Sequence, residues 1–125
     1  MTLRKIETWA LDRVLRDEKS FLDLPPESVV FRRDDPGSFM AVVMRGAVGI
    51  RRDGAEIAVV EAGSVFGEMA LIDGQPRSAD AVTKTHCRLA LIDDRHFKAL
   101  VRDTPEFALS LMKILVERLR AHLES

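Results

Sequence analysis

Cysteine is nearly absent from this sequence: Cys87 stands alone. No internal disulfide is possible, and among alternating strand-like neighbours Cys87 is expected to be a small buried hydrophobe. The three histidines, His86, His96 and His122, are scattered without H-x-H or H-x-x-x-H spacing, so no metal site is expected. No nucleophile triad or P-loop can be picked out. Asp73, Asp80, Asp93 and Asp94 fall in turns and caps, where acids are at home, so no catalytic residue is assigned and an enzyme is not expected. Apolar runs fall well short of the roughly 20 residues that span a bilayer, and the start, MTLRKIETW, has no signal-peptide core. A cytoplasmic protein without membrane contact is the expectation. Charge of one sign is also missing. With 19 Lys and Arg against 20 Asp and Glu, a net charge of −1 and no Lys/Arg block, a broad nucleic-acid surface is not expected. The pairs Arg32-Arg33 and Arg51-Arg52 are expected in solvated strand or turn positions.

What remains is an ordinary globular composition, 46% hydrophobic and 31% charged, over 125 residues, a length that suits one domain. Leu3, Ile6, Ala10, Leu11 and Val14 recur at helical spacing, and Pro25-Pro26 ends the helical region at about residue 24. Short apolar runs follow: Val29 to Phe31, Phe39 to Met44, Ala47 to Ile50, Glu56 to Val60, Ala81 to Thr83 and Cys87 to Ile92. Turn residues separate them, with Asp53-Gly54 the clearest hairpin turn, beside Asp34-Asp35-Pro36-Gly37 and Glu61-Ala62-Gly63-Ser64. Asp93-Asp94 can cap a helix over Arg95 to Val101, and Asp103 or Thr104 with Pro105 opens a longer one to about Leu123. The predicted fold is mainly β with flanking helices. A β-barrel or jelly roll (double-stranded β-helix) over 25–92 lies between an N-terminal helical region, 1–24, and two C-terminal helices, 93–125, all in one domain.

The most informative stretch is FGEMALIDGQPRSADAV, residues 66–82. A glycine lets backbone approach a ligand, amides of a short helical turn point at an anion, and a guanidinium offers a planar fork to phosphate oxygens. Phe66, Gly67, Glu68, Met69, Ala70, Leu71, Arg77, Ser78, Ala79 and Ala81 match, in order, a pattern F-G-E-[LMI]-A-L followed by R-[STA]-A-x-[AV]. In this the segment resembles the phosphate-binding cassette of the cyclic nucleotide-binding domain family, found in catabolite-activator-type regulators, protein kinase A regulatory subunits and cyclic nucleotide-gated channels. The bland alternative is a loop with a surface salt bridge between Glu68 and Arg77. The resemblance extends to Val30-Phe31, Asp35-Pro36-Gly37, Gly46-Ala47-Val48 and Gly63. It departs at Asp34, where the family usually has glycine and where aspartate tolerates the left-handed conformation required, and in the N-terminal region, where an uninterrupted helix followed by FLDLPP is expected in place of the family's pair of short helical turns.

The resemblance implies a cyclic mononucleotide as ligand, cyclic AMP with cyclic GMP as the other possibility, and no cofactor. Arg77 would pair with the phosphate and Glu68 would accept from the ribose 2′-hydroxyl. The amides of Ala70, Ser78 and Ala79 and the Ser78 hydroxyl would help, with Gly67 and Met69 forming the cassette start. Serine after the cassette arginine tilts the base toward adenine. Ile57, Ala58 and Val60 correspond to base-facing strand positions and are equally candidates for the core. In the family the last helix is a lid, and here Arg118 and His122 are the polar residues near its end, able to reach the nucleotide or to remain solvated. Leu109, Met112, Val116, Leu119 and Leu123 alternate at spacings of three and four, while Phe107, Leu111, Ile114 and Leu115 form another apolar face. One face is expected to cover the barrel and the other to build a homodimer; a helix sunk in its own core is the alternative. The family's transcription factors carry a helix-turn-helix after this domain, and this sequence stops at Ser125. Two functions follow: a stand-alone sensor that acts through a dimer or an effector protein, or a structural module that keeps the fold and binds no nucleotide.

Overall fold

The computed structural model describes residues 21–124, with side chains as far as Arg120. The amphipathic helix expected near the N-terminus and the side chain of His122 lie outside the described residues. In chain order the elements are β1 (Phe21–Leu24), β2 (Val29–Phe31), β3 (Phe39–Arg45), β4 (Ala47–Arg52), β5 (Ala55–Glu61), β6 (Val65–Phe66), α1 (Glu68–Asp73), β7 (Asp80–Thr83), β8 (Cys87–Asp93), α2 (Asp94–Asp103) and α3 (Pro105–Glu124). The strands form two antiparallel four-stranded sheets, ordered β1-β8-β3-β6 and β2-β7-β4-β5. This is the expected jelly roll with helices beside it.

The six expected strands are present, most of them longer by a residue or two. Phe21–Leu24, assigned from the sequence to the N-terminal helical region, is instead an edge strand paired with β8 from Phe21↔Ala90 to Leu24↔Cys87. The prolines that stop a helix also hold the preceding residue extended, and the pairing partner lies more than sixty residues away. Val82 in β7 pairs with both Val29 and Gly49, so β7 is the bridge that joins β2 to β4.

Alternation along β3 divides the core in two. Ala41 and Val43 point into the barrel with Val48, Ala58, Val60, Phe66, Ala81, Cys87 and Leu89. Met40 and Val42 point outward, beneath Phe97, Leu100, Phe107, Leu111 and Ile114 of the two long helices. Both faces of this sheet are therefore covered, which is why β3 and β8 read as continuous apolar runs rather than as alternating ones. The Asp93 side chain accepts from the His96 amide and starts α2, and the Thr104 amide closes its end on the Leu100 carbonyl at 2.8 Å. Pro105 then opens α3 with no donor to lose.

Candidate functional site

The cassette begins where β6 runs out. Gly67 takes φ +80°, a left-handed conformation, and turns the chain from Phe66 into α1. Gly74, at φ +70°, ends that helix with its amide on the Ala70 carbonyl. The chain then passes Pro76 and reaches Arg77, whose backbone is gripped by the loop after β2. The Arg77 amide donates to the Asp35 carbonyl, and the Asp34 amide donates to the Arg77 carbonyl, each at 2.8 Å. Asp34 manages this at φ +73°, the left-handed geometry expected at that position.

The Arg77 side chain turns inward and is only 4% exposed. Nη1 donates to the Gly67 carbonyl at 2.7 Å and Nη2 to the Phe39 carbonyl at 2.6 Å. The guanidinium carbon lies 4.0 Å from the Phe31 ring centroid and 4.8 Å from that of Phe39. Nε is buried and has no protein partner. Burial draws the guanidinium below its ordinary pKa, opposed by the carboxylates of Glu68 and Asp35. A buried cation with donors to spare, one of its three nitrogens wholly unpartnered, is an anion receptor in chemical terms, because an anion's oxygen would satisfy a donor and neutralise the charge together.

Glu68, 1% exposed, does not pair with Arg77. Its carboxylate accepts instead from Arg118 Nη1 in a short ion pair, and Arg118 Nη2 donates to the Val65 carbonyl at 3.0 Å. The surface Glu68–Arg77 bridge of the bland alternative is thus not formed. Arg118 was legible only as a polar residue near the end of the last helix. The signal for its true place is its register: Phe107, Leu111, Ile114 and Arg118 follow one another at spacings of four, three and four, so the arginine continues the buried stripe of α3.

Of the other expected site residues, Ala70 and Ala79 are buried beside these groups, while Met69 and Ser78 are exposed. The Ser78 carbonyl accepts from Arg52 Nε at 3.2 Å. Ala58 and Val60 belong to the inner core with Phe66 and Ala81. Ile57 falls on the opposite face of β5, 41% exposed, and is not brought to the cassette, because successive strand residues point to opposite sides. Phe31 and Phe39, which the sequence offered only as strand residues, are the rings that lie against Arg77 on two adjacent sides. On α3 the two apolar faces separate as expected. Phe107, Leu111 and Ile114 are buried, while Leu109, Met112, Val116 and Leu119 are 48–58% exposed. Among the described residues no helix is long and apolar enough to cross a membrane.

The family pattern described as "Cyclic nucleotide-binding domain" matches residues 21–104. Among curated proteins, the CRP-like cAMP-activated global transcriptional regulator of Mycobacterium tuberculosis is 31% identical over 104 residues, covering 79% of this chain and 46% of its own length. A cyclic nucleotide-gated potassium channel of Mesorhizobium japonicum is 34% identical over 95 residues, 76% of this chain and 26% of the channel. The chain thus spans about half the length, or less, of these relatives. Among solved structures, the Thermus thermophilus catabolite activator protein superimposes with a TM-score of 0.82 at 30% identity, over 94% of this chain and 58% of that one. The regulatory domain of Toxoplasma gondii PKA with cAMP gives 0.65 at 26% identity, over 78% and 39%. Because the matched span runs from β1 through the whole cassette to the end of α2, the chain belongs to the cyclic nucleotide-binding domain family.

Proposed function

We propose that this domain binds a cyclic mononucleotide, cyclic AMP ahead of cyclic GMP, and serves as a cytoplasmic regulatory sensor rather than an enzyme. The observation that carries this reading is Arg77: a buried guanidinium whose Nε has no protein partner, in the cassette where a phosphate diester is expected. The diester brings one negative charge to one buried positive charge. Its ribose 2′-hydroxyl donates to Glu68. Arg118 holds that same carboxylate, so ligand and α3 meet at one residue, and occupancy of the site changes what α3 is fastened to. A ligand shifts such a helix only by binding one of its arrangements better. Cyclic AMP is favoured by Ser78 after the cassette arginine and by the cAMP named for the mycobacterial regulator and the Toxoplasma structure. Output runs through a homodimer built on the exposed seam of α3, or through an effector protein on that seam.

Isothermal titration with cyclic AMP, cyclic GMP and cyclic di-GMP tests the reading. One site per chain with cyclic AMP preferred is the expected result. A preference for cyclic GMP beyond about tenfold, equivalent to about 1.4 kcal/mol, overturns the base assignment. Absence of heat with all three at high protein concentration leaves the structural-module reading in its place.

A further inference from the structure

We propose that Phe31 and Phe39 are positioning residues that flank the Arg77 guanidinium on two adjacent sides and hold it in one fixed orientation for phosphate. The inference rests on the cyclic-nucleotide reading of the site for its ligand, but the clamp itself is built from contacts within the chain. An arginine side chain has many rotamers, and a phosphate receptor that must first choose one loses affinity to that choice. Here the choice is already made. Two carbonyls, of Gly67 and Phe39, fix Nη1 and Nη2, and two rings lie 4.0 and 4.8 Å from the guanidinium carbon. The rings brace each other: the centroids of Phe31 and Phe39 are 6.2 Å apart in an edge contact, and Phe66 backs Phe31 at 5.8 Å.

Two glycines clear the space. A Cβ on Gly67 would stand 2.7 Å from Arg77 Nη1, and one on Gly37 would stand 3.2 Å from Cζ and 2.2 Å from the Ala70 Cβ. With Nη1 and Nη2 each on a carbonyl, Nε is the guanidinium nitrogen that has no protein partner. The rings do more than fill volume, since a π face attracts a cation in a way an aliphatic side chain of similar size does not.

The test uses the full chain with Phe31→Leu, Phe39→Leu and Phe31→Tyr, titrated with cyclic AMP. Each leucine variant is expected to weaken binding about tenfold, a loss of the order of one cation–π contact, and the tyrosine variant, which keeps the ring face, to restore it. In an Arg77→Gln background, which removes the cation, the leucine substitution is expected to have little further effect, because the rings act through that charge. Equal losses in both backgrounds would assign the rings to packing alone and overturn the clamp. A second measurement needs no ligand. The Arg77 Nε–H proton resonance should be displaced by ring currents in the parent protein and Phe31→Tyr, and should relax in Phe31→Leu. If the parent binds no cyclic nucleotide, the functional reading fails and this resonance alone decides the clamp: displaced and relaxing supports it, unmoved refutes it. A leucine variant that fails to fold passes the decision to the other ring's variant and to the parent resonance.

Discussion

Removing the guanidinium of Arg118 is expected to destabilise the domain through a residue fifty positions away. Arg118→Ala deletes the ion pair with Glu68 and the bond to the Val65 carbonyl, and leaves a carboxylate with 2% side-chain exposure without its charge partner. Breaking a fully buried pair typically costs 3–5 kcal/mol, but Arg118 keeps 22% of its side chain in contact with solvent. The expected cost is therefore about 2–3 kcal/mol, near the range for hydrogen bonds to charged groups. For 125 residues at roughly 2.1 cal/mol/K each, the entropy of unfolding is about 0.26 kcal/mol/K, so the melting temperature should fall by about 8–11 °C. The assay is calorimetric or circular-dichroism melting of four proteins: parent, Arg118→Ala, Glu68→Gln and the double variant. Glutamine at position 68 leaves no orphaned charge, so Arg118→Ala should cost markedly less in that background. Equal costs in the two backgrounds, or a fall below about 3 °C in the single variant, would show that the pair does not tie α3 to the cassette.

Arg77→Ala should weaken cyclic AMP binding by about 2–4 kcal/mol, and Arg77→Lys should recover only part of it for want of the fork. Because the same side chain bridges the Gly67 and Phe39 carbonyls, a lowered melting temperature should accompany the loss, and a folded alanine variant with parental affinity would contradict the site. Placing charge on the α3 seam with Leu109→Glu and Val116→Glu should leave the melting profile of dilute protein nearly unchanged while dissociating the homodimer in sedimentation; a parent that is monomeric at high concentration counts against that interface. Glu56 is held below its ordinary carboxylate pKa of 4.5, chiefly by its hydrogen bond to Lys84. A depressed folded-state pKa contributes stability that is present above 4.5 and is lost as pH falls through the lower folded value, so Glu56→Gln should flatten only the acid limb of stability against pH.

Local chemistry was legible wherever it was decided locally. Asp53 and Gly54 both take positive φ, +53° and +79°, and form the two-residue turn between β4 and β5 that their identities announce. Asp93 caps α2 as expected, and the exposed seam of α3 was visible in its spacing. The cassette was legible as an ordered set of residue types. What escaped was settled by distant partners. Phe21–Leu24 is a strand because β8 lies beside it, and nothing in FLDL distinguishes that from an extended linker before proline. Glu68 and Arg77 were each assigned to the ligand, yet in the fold each is also held by the protein: one by an arginine from α3, the other by two carbonyls and two rings. Ile57, named with Ala58 and Val60 as a base-facing candidate, lies on the other face of β5 from both, because adjacent strand residues alternate sides.

The register of a single strand pair deserves a mechanical reading. Phe39, whose carbonyl receives Arg77, is the cross-strand partner of Asp93, and Asp93 is the cap from which α2 begins. From the Arg77 guanidinium to the first turn of α2 there is thus one hydrogen bond, one rung of the ladder and one cap, with no loop in between. A displacement of the Phe39 carbonyl therefore has a path of only two further links, a strand pairing and a helix cap, to the root of α2, on which α3 is packed.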